Sequence, residues 1–287
     1  MPNGREAVLE WERRRRTPAA LASLGAIAFV LAAILVANQA VGGSDGDSEL
    51  LLNVDAHRSA QMFSSILQAI GVGLLAAPLY YLFRAANARS PEMRGQLVGV
   101  VVAAPLFLAA LAILSGLSTL SAAGTFVDDE VPRLMARGVA IGSERANDVA
   151  ADAITEAPLR PLAAGFGLGG QLGFVIAMFY TCMHAMRTGL LPRFWGSLGM
   201  ALGAVSFLFF QFALLWYVYL GVLLLGRVPG GRPPAWETGE AMPWPKPGEE
   251  AAAALDGDDS GAAPEPGGGV ESGQLESGER RKRKQRD

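Results

Sequence analysis

Residues 97–120 read LVGVVVAAPLFLAALAILSGLSTL, an apolar stretch without a single Asp, Glu, Lys, Arg or His. That length is what an α-helix needs to cross ~30 Å of hydrocarbon, and a soluble helix would instead alternate apolar and polar faces. Comparable blocks lie on both sides, at 18–41 and 63–83 before it and at 162–186 and 197–225 after it. The fold class that follows is all-α: a polytopic transmembrane helical bundle of about five spans. The last block is longer than one crossing requires. It has no Gly, Pro or Asn between Ser206 and Leu220 to turn a hairpin, so it reads as one long, tilted helix. Six spans is the alternative.

Hydrophobic residues make up 51% of the chain, and the charges are pushed out of these blocks to the ends and connections. A nucleic-acid binder would carry a basic face on a folded domain, and none is legible here. The single cysteine, Cys182, excludes an intrachain disulfide and any multi-thiolate metal site, and the only histidines are His57 and His184.

Arginine in the connections sets the expected orientation. Arg13 to Arg16 precede the first block within a basic segment, residues 1–17; Arg84, Arg89 and Arg94 follow the second block, and Arg187 and Arg193 the fourth. These belong on the cytoplasmic side, with the N-terminus cytoplasmic. A basic start followed by an apolar run also resembles a signal peptide, but the run is long and lacks a clean cleavage site, so an uncleaved span is expected. The first connection is acidic through Asp45, Asp47, Glu49 and Asp55, as is 121–160, which reads as an outer loop. One signal opposes the others. Five spans put the C-terminus outside, yet the chain ends in the basic run Arg280 to Lys284.

Within the outer loop, Val131, Leu134 and Met135 recur at helical spacing, as do Val149, Ala150, Ala153 and Ile154. One or two amphipathic helices over the bundle's outer mouth are expected, the second capped by Ser143. Residues 227–287 are rich in Pro, Gly, Ala, Glu and Asp, and are expected to be a disordered tail.

Few residues carry chemistry. Gly165, Gly169 and Gly173 form an i, i+4, i+8 ladder, the pattern that lets two transmembrane backbones approach closely. The surrounding Gly165-Phe-Gly-Leu-Gly-Gly run lacks the strand and acidic residue of a dinucleotide site. Pro78 and Pro105 are candidate helix kinks. Gln68, Gln171 and Gln211 are amides at depth in three different spans, candidates for mutual contact in the bundle interior. No Asp, Glu, Lys or Arg lies mid-span, which argues against a proton-coupled pump. Ser115, Ser118, Thr119 and Ser121 have no histidine placed to activate them. His57 and His184 fall on opposite faces, so no shared metal, no cofactor and no catalytic residues are expected.

Two segments carry a resemblance. Arg187-Thr-Gly-Leu-Leu-Pro-Arg-Phe-Trp-Gly-Ser-Leu-Gly199 and Pro233-Pro-Ala-Trp-Glu-Thr-Gly-Glu-Ala-Met-Pro-Trp-Pro245 resemble a family of uncharacterised polytopic integral membrane proteins of high-GC bacteria. The resemblance implies a bacterial plasma-membrane location and transfers no activity. Trp236 and Trp244, in a proline frame, would suit headgroup contact. The functional expectation is a non-enzymatic structural, scaffolding or regulatory membrane protein. Its partners would be lipid and either a second copy or another membrane protein. The alternative is a small-solute transporter or channel built around the prolines and glutamines.

Overall fold

The computed structural model describes residues 4–244, and these form helices and turns with no strand. Four helical stretches among them are long and apolar enough to cross a membrane: Glu6–Gln39, Arg58–Asn87, Gly95–Ala136 and Arg160–Arg187. The first is α1 (Gly4–Val41). The second is two helices, α3 (Arg58–Leu74) and α4 (Ala76–Asn87), parted at Leu75. Pro78 explains the break, because it has no N–H to offer the carbonyl four residues back and its ring clashes there. Pro105, by contrast, lies buried within an uninterrupted α5 (Val98–Thr125). The fourth stretch is α8 (Arg160–Arg187).

The last hydrophobic block departs from the expectation of one long helix. It folds as α9 (Arg193–Val205) and α10 (Gln211–Leu225), two helices of ~20 Å and ~22 Å at ~1.5 Å per residue, each shorter than a full crossing. They run antiparallel. The Trp216 indole donates to the Trp195 carbonyl at 3.0 Å, and the Trp195 and Tyr219 rings stack with centroids 3.6 Å apart. The turn over 206–210 needs no glycine or proline. The Ser206 hydroxyl donates to the Gly203 carbonyl at 2.6 Å, and the Gln171 amide of α8 donates to the Ser206 carbonyl, so groups that would extend the helix are taken. Gly196, Gly199 and Gly203 seat α9 against Met186, Cys182 and Met178 of α8. The block is therefore a helical hairpin that returns to the end of the bundle where it began, rather than one long helix.

Around the bundle α1 packs on α3, α3 on α5, α5 on α8, α8 on α9, and α10 closes back on α1, with α4 among α1, α5 and α8. Serine hydroxyls pin two of these contacts: Ser64 to the Ala33 carbonyl at 2.8 Å and Ser23 to the Tyr217 carbonyl at 2.7 Å. At the acidic end a separate small core of Leu51, Val54, Phe126, Leu134, Ala146 and Ala150 holds a cap together. The cap comprises α2 (Asp47–Ala56), α6 (Val131–Ala136) and α7 (Glu144–Glu156). Ser143 caps α7 by accepting the Ala146 N–H, and Asn147 binds both the backbone N–H and the hydroxyl of Ser48.

At the opposite, basic end the chain is latched. Arg89 is fully buried and spends all five N–H donors: on both carboxylate oxygens of Glu12, on the Ala85 carbonyl, and twice on the Ala235 carbonyl. Trp11, Tyr81 and Trp236 form a continuous stack beside it, with centroids 5.4 and 5.8 Å apart. Residues 227–244, read from composition as part of a disordered tail, are therefore ordered. Trp236 is buried and donates to the Leu190 carbonyl, and Trp244 donates to that of Leu191, both at 2.9 Å, so protein carbonyls take the indoles expected at headgroups. α11 (Ala235–Thr238) carries this contact. The remainder of the expected tail, 245–287, lies outside the described residues.

Candidate functional site

The hairpin stops partway through the bundle, and its tip is the floor of a cavity. Ser206, at the tip, is held by Gln171, which lies ~16 Å along α8 from Arg160 and ~24 Å from Arg187. Gln68 lies ~15 Å along α3 from Arg58, at a similar depth. Gln211 begins α10. All three amides line one cavity of about 410 Å³, walled by Leu108 and Leu111 of α5 and by Phe207 and Phe210 of the hairpin tip.

The cavity's chemistry is that of three carboxamides in an aliphatic and aromatic shell, with no ionisable side chain in its lining. Gln171 uses its N–H on Ser206. Gln68 and Gln211 are exposed and have no hydrogen-bond partner among the described residues. An amide left without a partner in hydrocarbon costs several kcal/mol. Water or a polar ligand in the cavity would satisfy these amides. Towards the basic end it is closed: Phe174 packs on Phe210 and on Tyr217, with centroids 5.3 and 6.3 Å apart.

The glycines of α8 divide by face. Gly165 meets open space and Gly169 an ordinary contact with Phe107. The tight approach to α5 is at Gly170 and Gly173, where an added Cβ would lie 3.0 Å from Leu108 and from Ala104. Pro78 and Pro105 are buried away from the cavity lining.

The remaining candidates stay apart. His57 is exposed at the acidic end with its ring 3.0 Å from the Asn53 carbonyl, and Asp55 pairs with Arg58 instead. His184 is buried in the last turn of α8, 4.5 Å from the Tyr180 ring. Thr119 turns its hydroxyl back onto the Ser115 carbonyl. Among the described residues no three His, Cys, Asp or Glu side chains gather as a metal site would require.

Sequence reasoning missed the Glu12–Arg89 pair, because nothing local marks two charges 77 residues apart as partners. It also missed the hairpin tip that brings Gln211 to Gln171. No protein-family model, curated protein or solved structure matches this chain.

Proposed function

We propose that this is a bacterial plasma-membrane protein with a cytoplasmic N-terminus that binds, and passes, a small uncharged solute at the amide-lined cavity. The observation that carries the reading is the convergence of Gln68, Gln171 and Gln211, from three helices, on one cavity at mid-depth. Amides recognise hydroxyl, amide or carbonyl groups through both donor and acceptor atoms. The absence of charge from the lining suits a neutral solute, and the aliphatic walls suit its apolar part. The hairpin supports a gating role, because its tip forms the floor of the cavity. The reading assigns the protein no covalent chemistry and no cofactor.

A purely structural or scaffolding role is the second reading, and the buried Arg89 latch favours it, since it ties both ends of the described chain to the bundle. Cysteine accessibility separates the two. In a Cys182→Ala background, Gln68→Cys and Gln211→Cys are expected to react with a water-soluble, membrane-impermeant thiol reagent. Leu172→Cys, on an exposed apolar face of α8, should react only with a lipid-soluble one. If both glutamine positions resist the water-soluble reagent, the cavity is dry and the structural reading stands in its place.

A further inference from the structure

Beside the Trp11–Tyr81 stack that joins them, α1 and α4 leave open space at the basic end. Two cavities of about 280 and 390 Å³ lie between them and share Trp11 as a common wall. Together they form a groove running along both helices, and its lining changes character with depth. Arg84 and Asn87 lie at its outer part, Arg15 beside Trp11 in the middle, and Pro18 and Ala77 at the part nearest the bundle. The two arginines are exposed and have no ion-pair or hydrogen-bond partner among the described residues. Two carboxylates of α1 are engaged elsewhere, Glu10 by Arg14 and Glu12 by Arg89.

We propose that this groove binds one anionic phospholipid. The phosphodiester and its acidic headgroup lie between Arg15 and Arg84, where guanidinium groups make charge-assisted hydrogen bonds to phosphate oxygens. An acyl chain runs inward past Pro18 and Ala77, whose small side chains leave the space that larger residues would fill. Trp11, stacked on Tyr81, occupies the boundary between polar and apolar parts, where an indole is most favourable. Both helices continue into stretches long and apolar enough to cross a membrane, so the groove sits where lipid is the surrounding solvent. The site is independent of the amide-lined cavity, and either can fail without the other.

The test is native mass spectrometry of the full chain in neutral detergent, titrated in parallel with phosphatidylglycerol, phosphatidylcholine and inorganic phosphate. Wild-type protein is expected to retain one phosphatidylglycerol in preference to phosphatidylcholine. The double variant Arg15→Gln/Arg84→Gln is expected to lose about 30-fold in affinity, the effect of removing two arginines near a membrane surface. Arg13→Gln/Arg14→Gln, which leaves the groove intact, should bind as wild type does. Ala77→Leu keeps every charge, fills the acyl path and should weaken retention. Equal retention of the two lipids overturns the proposal. So does an equal loss in Arg13→Gln/Arg14→Gln, or competition by inorganic phosphate as effective as that by lipid.

Discussion

Replacing Arg89 with alanine is expected to lower the unfolding free energy of the purified protein by about 3–5 kcal/mol, the cost of stranding one member of a buried ion pair. The removed side chain is fully buried and Glu12 nearly so, so neither charge is compensated by water. Truncation leaves the Glu12 carboxylate without a cation and frees the Ala85 and Ala235 carbonyls together, while Trp236 loses the guanidinium 5.8 Å from its ring. Arg89→Lys should fall between, because one ammonium cannot reproduce five donors in a planar fork. The double variant Glu12→Leu/Arg89→Met should recover much of the loss, since replacing a buried pair with apolar side chains of similar size is often neutral. Denaturant titration in detergent measures all three. A loss of under about 0.5 kcal/mol for Arg89→Ala, the range of ordinary surface changes, would mean that the latch contributes nothing.

Gly199→Leu is the second large effect. A Cβ at this position would already lie 2.5 Å from the Trp216 indole nitrogen and 2.6 Å from the Cys182 sulfur. Both groups are fully buried, and the indole is held by its bond to Trp195, so neither can step aside cheaply. Overpacking of this kind costs about 1–3 kcal/mol, and here the relief available is separation of α9 from α8 and α10. The expected result is lower thermal stability together with a shift in tryptophan emission as Trp216 leaves its site. Gly165→Leu is the matched control on α8. Its Cβ meets nothing within 4 Å, and removing a helical glycine stabilises by itself. Equal behaviour of the two variants would refute the hairpin packing.

The bundle itself was legible because charge-free windows of membrane-spanning length have few other uses, and 97–120 alone excludes a soluble domain. The cap helix α7 was legible too, because Ser143 and the spacing of Val149, Ala150, Ala153 and Ile154 are local signals. The hairpin was not. Its turn is made from Phe and Leu and is terminated by Gln171, a residue 35 positions away, so no breaker marks it. The glycine ladder was a matter of phase. Five glycines within 165–173 surround much of α8, and spacing alone does not say that 170 and 173 face α5 while 165 faces outward. Arg89 was read as a topology signal, which any arginine beside a span resembles, and its burial depends on Glu12 and Ala235 arriving from distant segments. The order of 227–244 was hidden by its Pro- and Gly-rich composition, and Trp236 and Trp244 anchor it through single indole bonds to carbonyls of the loop after α8.

If the last hydrophobic block turns back, the segment after α10 lies on the same side of the membrane as the start of α1. The direct measurement is labelling by a membrane-impermeant maleimide, in intact and in permeabilised cells. It uses the full chain carrying Cys182→Ala and one of Glu6→Cys, Asp148→Cys or Glu237→Cys, all exposed positions. Glu6→Cys and Glu237→Cys are expected to behave alike and opposite to Asp148→Cys, which lies in the cap. Labelling of Glu237→Cys together with Asp148→Cys, and apart from Glu6→Cys, would contradict the turn and restore a fifth crossing.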